Sequence, residues 1–450
     1  MSTAILRRRS LPPELPGGLP WLGHALAFRR DPVRLLRRGR QRLGELFSFR
    51  LAGRSTAVFT GPRANEAFFR APDDQLNARA AYRFTVPIFG KGIAYDAPAE
   101  RMSEQLDLVL PALTERRLQT YAAYINEEVE TYLERWGDSG EVDLLELTNE
   151  LTIFAASRCL IGPEFRRYLS SEFASLYRDL EGGINLVAFF RPYLPLPSAQ
   201  RRDRARVRMV ELIAGIIAAR RAGRTGPEDF LQTLMEARYA DGSALTDDQI
   251  TGMLLTLIFA GQHTSAVLAA WTGMELLRHP AYLERMLREQ HEVVAARELT
   301  FDTLRQMPLL ERGMQEAERL HPPLVMLMRR VERDLHYRRF TVPAGWLALV
   351  SPAVSHRLSE VFTDPNRYDP DRLAPGREEH RKARFALITF GGGKHACIGM
   401  TFGYLQIKAI WSVLLRRFEW ELIDRHLEPN YATFVVGPRP PCRVRYRRRT

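Results

Sequence analysis

At 450 residues, 45% of them hydrophobic and 26% charged, the chain is too long for a small domain and too apolar for a disordered one. Its net charge of +12 comes chiefly from arginine and sets nucleic acid, an acidic membrane and an acidic protein partner as competing readings. No nucleic-acid fold signature accompanies the clusters, and solvated helix faces explain most of them and docking of an acidic protein the rest. Three cysteines without CxxC spacing, Cys159, Cys397 and Cys442, argue against a disulfide framework or a zinc site and suit a reducing, cytoplasmic setting.

The N-terminus carries arginines but no sustained apolar core, so neither a signal peptide nor a membrane anchor is expected. Leu19, Trp21 and Leu22 are the residues expected at any peripheral membrane contact. Residues 44–61 alternate as short β segments around a turn at Gly53. A loop from Tyr82 to Asp96 follows, rich in aromatic residues, and helical patterns dominate from about 98 to 330. Within that block Gly182–Pro197 reads as a lid-like loop. The strongest helix runs from Asp247 to Arg278, with Thr246 and Gln249 as a capping box and Pro280 closing it. Its apolar run, Met253 to Ala260, is too short to span a bilayer and must be buried. Short strands return within 335–355. A helix is expected over about 397–417 and a last β-rich stretch over 430–446, with a strand at Thr433–Val436. This order predicts an α+β fold, mostly α-helical, as one domain over residues 1–450.

Phe390-Gly391-Gly392-Gly393-Lys394-His395-Ala396-Cys397-Ile398-Gly399 lies just before that helix. Glycines let a backbone turn with positive φ and approach a flat ligand. A thiolate at a helix start is favoured by the dipole and by N–H groups that also tune a bound iron. A buried structural cysteine, or a nucleophile with His395 as base, are the competing readings; a phosphate loop would need Ser or Thr after Lys394.

The spacing Phe-x-x-Gly-x-x-x-Cys-x-Gly resembles the cytochrome P-450 superfamily, and the likeness covers nearly the whole chain. Glu316 and Arg319 match its Glu-x-x-Arg helix, with Arg372 as the second arginine of a structural triad. The resemblance implies a large helical block and a minor β-rich region with haem b between them. It makes Cys397 the axial iron ligand, with Tyr82, Arg329, His395, Phe390, Gly391 and Gly399 around the cofactor. Ser103, with Arg101 nearby, stands where a basic residue normally meets a haem propionate.

Phe259-Ala260-Gly261-Gln262-His263-Thr264 interrupts the long helix. Gly261 costs about 1 kcal/mol there relative to Ala, and Thr264 can bond the carbonyl four residues back, opening a groove. His-Thr at this place is similar to the sterol 14α-demethylases, as is the loop containing Tyr82, Phe84 and Phe89. That likeness implies catalytic roles for His263 and Thr264 in moving protons. It also implies a substrate site of Tyr82, Phe84, Phe89, Phe259, Ala260, Leu324, Met328 and Phe434, with a preference for obtusifoliol-like sterols. Electrons would come from NAD(P)H through a ferredoxin or flavodoxin, with Lys394, Lys408 and Arg417 as contacts to that partner. The protein is expected to be a monomer. Oxidation of a fatty acid, terpene or hopanoid stays open, as does a non-enzymatic haem-thiolate sensor.

Overall fold

The alternation that begins at Leu46 builds the edge of a sheet. In the computed structural model, which describes residues 10–162, 171–184, 186–223, 229–294, 299–426 and 428–449, β1 (Leu46–Leu51) and β2 (Arg54–Phe59) form an antiparallel hairpin that sets Phe47 opposite Val58. Ala52 and Gly53 turn it, both with positive φ. The chain divides into two compact units, the first made of residues up to Ala81, Leu324–Arg367 and Asp371–Cys397.

In this first unit β2 runs parallel to β8 (Leu347–Val350). On its other side β8 pairs antiparallel with β5 (Leu327–Val331), and β3 (Leu76–Asn77) closes the sheet. After β5, β6 (Leu335–Tyr337) and β7 (Phe340–Val342) make a separate hairpin. Phe59, Phe68, Phe69, Val331, Val350 and Ile388 pack as the core beneath the sheet.

The second unit comprises Tyr82–Pro323, Tyr368–Pro370 and Ile398–Thr450. Its three-stranded sheet is ordered β4 (Ser139–Asp143), β10 (Arg443–Arg448), β9 (Phe418–Leu422). Val444 and Tyr446 of β10 are buried, while the arginines that alternate with them, Arg443, Arg445 and Arg447, face outward to carboxylates of the same unit. Arg443 meets Asp424 at 3.0 Å, Arg445 meets Glu141 at 2.8 Å, and Arg447 meets Glu419 at 2.5 Å. The basic C-terminus is thus a strand whose arginines are paired with carboxylates of the same unit. The strand expected at Thr433–Val436 is a turn instead. Thr433 Oγ1 donates to the carbonyls of Asn430 (3.0 Å) and Val435 (2.8 Å), and the Val436 N–H bonds Pro323 O at 2.8 Å.

The central helix spans Asp247–Arg278. Both capping-box bonds form: the Gln249 N–H donates to Thr246 Oγ1 (3.2 Å) and the Thr246 N–H to Gln249 Oε1 (2.9 Å). By length and composition alone this helix could cross a membrane, which the shorter run Met253–Ala260 did not suggest, but 67% of its most apolar window is buried inside the protein. It is a core helix. Gly273 lets it approach the helix Met400–Arg417, since a Cβ there would fall 2.0 Å from the Trp411 ring, and Trp411 Nε1 donates to Ala269 O at 2.9 Å. The segment after Gly182 is not a bare loop, because a short helix, Leu186–Phe190, forms inside it before the long helix Pro197–Ala222 begins.

Candidate functional site

The residues singled out from the sequence fall into two groups, one in each unit. In the first unit Cys397 is exposed, and its N–H donates to Phe390 O at 2.8 Å, closing the glycine loop. Gly391 and Gly393 have φ of 71° and 63°, and a Cβ on Gly393 would sit 2.4 Å from Phe69 O, so this tight backbone needs glycine. His395 Nε2 bonds the Asp73 carboxylate, and Lys394 Nζ lies 3.2 Å from the same group. Burial pushes the Asp73 carboxyl up, but the hydrogen bonds and charge contributed by His395 and Lys394 outweigh it and hold it below its usual range. Asp73 was not legible as a partner of the loop, because it stands more than 300 residues earlier in the chain.

The other two cysteines are buried. Burial drives the Cys159 thiol well up and that of Cys442 to about 12, which keeps both protonated and inert. Arg329, on β5, is buried; its Nη1 donates to Phe68 O at 3.2 Å and its guanidinium stacks over the Phe68 ring at 4.8 Å. Met328 beside it is buried and Leu324 half-buried. Arg372 is also buried and held by Glu379 at 2.9 Å and by the carbonyls of Asp364 and Arg367.

In the second unit the central helix runs unbroken through Phe259–Thr264, so the interruption expected from Gly261 does not form. Ala260 is exposed within an otherwise buried stretch, and Thr264 Oγ1 donates to Ala260 O at 2.6 Å. A turn away from Ala260, His263 Nδ1 lies 2.9 Å from Glu181 Oε1, supplied by the helix Ser171–Gly182. Sequence reasoning missed Glu181: nothing local marks it, and only the tertiary fold brings it to the histidine.

Aromatic rings line the approach. Phe84 packs at 5.6 Å against both Phe189 and Phe434, and Phe259 contacts Phe89 at 6.0 Å and Tyr177 at 4.5 Å. Tyr82 stacks on Tyr95 at 4.9 Å. Arg206, from the helix Pro197–Ala222, clamps this loop. Its Nε donates to Ile88 O (3.1 Å), its Nη2 to Phe89 O (3.4 Å) and its Nη1 to Asp248 Oδ1 (3.0 Å). Arg206, Tyr177 and Phe189 were not identified from the sequence.

Glu316 and Arg319 are fully buried and joined by two bonds of 2.7 and 2.8 Å, and the Asp369 N–H adds a third contact to Glu316 at 3.0 Å. Gly399 precedes the helix Met400–Arg417 and accepts the Gly403 N–H at 2.9 Å. Two surface expectations change. Lys408 is buried and paired with Glu311 at 2.9 Å, so it cannot touch a partner protein, and Arg417 is paired with Glu130 at 2.8 Å. Ser103 is exposed, while Arg101 is taken up by Glu104 (2.9 Å), Asp241 (2.8 Å) and the Tyr239 ring (3.9 Å).

Residues 12–444 match the family described as Cytochrome P450. The chain belongs to the cytochrome P450 family. It is 39% identical to a sterol 14-demethylase of Arabidopsis thaliana over 99% of this chain and 93% of that one. It is 40% identical to a sterol 14alpha-demethylase of Mycolicibacterium vanbaalenii over 97% and 98%. A solved structure, a cyanobacterial CYP120A1 bound to retinoic acid, superimposes with a TM-score of 0.88 at 27% identity, covering 98% of this chain and all of that one.

As a P450 the protein is a monooxygenase with a haem-thiolate cofactor and an external source of electrons. The residues present fit that group. The exposed Cys397 thiol stands in a glycine loop whose turns at Gly391 and Gly393 take positive φ and leave no room for a Cβ at Gly393.

Proposed function

We propose that this P450 is a sterol 14α-demethylase, removing a 14α-methyl group in three successive oxidations that release formate and leave a 14,15 double bond. The observation that carries the reading is His263–Thr264 in the middle of the central helix, with Glu181 against the histidine, in a chain similar along its full length to plant and mycobacterial sterol 14-demethylases. Cys397 supplies the thiolate; Tyr82, Arg329 and His395 hold the propionates, and Phe390, Gly391 and Gly399 shape the loop against the ring. Haem bound there supplies oxygen activation by thiolate push. This chain's residues supply aim and protons. The hydroxyl of Thr264, turned back on Ala260 O, fixes a polar point on the helix, and His263 takes up a proton at Nδ1 on the Glu181 side while releasing one from its other ring nitrogen. Phe84, Phe89, Phe259, Ala260, Leu324, Met328 and Phe434 exclude water and orient a rigid apolar substrate. Electrons arrive from NAD(P)H through a ferredoxin- or flavodoxin-type protein in the cytoplasm, and Lys394, 73% exposed, remains a contact for it.

A second reading, oxidation of another hydrophobic molecule, is favoured by the likeness to a structure that holds retinoic acid. Incubation with obtusifoliol, lanosterol and retinoic acid, with a surrogate ferredoxin system, separates the two. Equimolar formate and a 14-demethylated sterol support the first. Oxidised retinoic acid without any sterol product overturns it.

A further inference from the structure

Trp21 is 94% exposed and holds φ at 61°, a left-handed conformation that bulky side chains rarely adopt. Its neighbours fix it there. Leu19 and Gly23 exchange two backbone bonds of 2.8 Å across a tight loop whose tip is Pro20-Trp21-Leu22. The loop is riveted to β1, since the His24 N–H donates to Arg50 O at 2.7 Å and the Ala52 N–H to Leu22 O at 3.1 Å. A Cβ on Gly23 would fall 2.2 Å from Arg50 O, so the backbones touch. The result is a rigid apolar tip: Leu19 is 50% exposed, Leu22 46%, and Leu26, on the helix Ala25–Arg30 that follows and buries no residue, 59%.

Charge surrounds this tip. Residues 10–44 hold seven arginines against two acids, Glu14 and Asp31. Both acids are engaged, Glu14 by Arg50 at 3.3 Å and Asp31 by capping the Arg34 N–H at 2.8 Å. Arg40 is paired with Glu360, but Arg29, Arg30, Arg34, Arg37, Arg38 and Arg42 are exposed with no carboxylate partner among the described residues. Arg38 stands at the stem of the tip, 3.8 Å from where a Gly17 Cβ would lie.

A strained, solvent-exposed tryptophan flanked by leucines gains nothing from water, and exposed apolar groups beside unpaired arginines match the interface of an anionic bilayer. We propose that the tip Leu19–Leu22 with Leu26 inserts peripherally into membranes rich in anionic lipid, the adjoining arginines binding the headgroups. An acidic protein would satisfy the arginines but leave Trp21 and Leu22 in water. The anchoring is independent of which substrate is oxidised.

Flotation of the haem-loaded, full-length protein with equimolar phosphatidylcholine and phosphatidylglycerol vesicles tests this, with pure phosphatidylcholine vesicles alongside. Binding is expected only with the anionic vesicles and should weaken by about tenfold in Trp21→Ser/Leu22→Ser and in Arg37→Glu/Arg38→Glu. These side chains are exposed, and an unchanged carbon monoxide spectrum certifies the fold of each variant. Absence of binding by the native protein, equal binding to neutral vesicles, or undiminished binding by the Trp21→Ser/Leu22→Ser variant would each overturn the proposal.

Discussion

His263 and Glu181 meet at 2.9 Å, joining the centre of the longest helix to the end of a helix that precedes it by more than sixty residues. The pair puts a carboxylate behind the residue best placed to move protons next to Thr264. Replacing Glu181 by Gln keeps the size and a hydrogen-bonding group but removes the charge. Product formation should fall by about tenfold to a hundredfold, with the carbon monoxide spectrum and the substrate-induced spectral shift retained. A solvent deuterium isotope effect larger than that of the native protein is the accompanying sign of slowed proton transfer.

Thr264→Ala removes the hydroxyl bonded to Ala260 O. Reductant should still be consumed while product per NADPH drops by about tenfold, because the proton is no longer aimed. Thr264→Ser, which keeps the hydroxyl, should recover most of the yield. Equal losses in both variants would assign the effect to packing.

Arg206 acts through the substrate loop and not on the reacting atoms, since its donors end on the carbonyls of Ile88 and Phe89. Arg206→Gln should weaken substrate binding by about fivefold to tenfold through loss of preorganisation. The maximal rate at saturation should change little, so the split between KM and kcat reads the role.

Much of this fold was written locally. The capping box at Thr246 and Gln249, the hairpin around Gly53 and the helix ending at Arg417 all follow from short-range patterns, and each stands where those patterns put it. The end of the chain misled for a physical reason. Thr433–Val436 has β-forming side chains, but the Thr433 hydroxyl turns onto the carbonyls of Asn430 and Val435 and the Val436 N–H goes to Pro323 O. The arginine-rich Arg443–Arg448 forms the strand because Val444 and Tyr446 are buried and Glu141, Glu419, Glu421 and Asp424 meet the arginines. Cys397 and Thr264 were visible because their motifs are contiguous. Glu181, Asp73 and Arg206 were not, since each reaches its partner only across the tertiary fold.

The crossing of Gly273 with Trp411 predicts a stability effect remote from the chemistry. Gly273→Val forces atoms into space already filled at 2.0 Å and should destabilise by about 1–3 kcal/mol or more. Thermal unfolding followed by circular dichroism reads this as a lowered Tm.

Glu379 should contribute to acid sensitivity. Burial pushes its carboxyl up, but bonds from Arg377, the Thr363 N–H and Arg372 outweigh this and hold it at about 2, below its ordinary 4.5. A folded value below the unfolded one means the stabilisation is complete above the ordinary value and is lost as pH falls towards about 2. Glu379→Gln should therefore be less stable than the native protein at neutral pH, and the gap should close on acidification. A gap independent of pH would refute the assignment.

The thiolate at position 397 is the claim on which the chemistry turns. The spectrum of the reduced protein under carbon monoxide should show the Soret band characteristic of a thiolate-ligated haem, and Cys397→Ala should lose it. Retention of that band in the alanine variant, or its absence from the folded, haem-loaded native protein, would contradict the account.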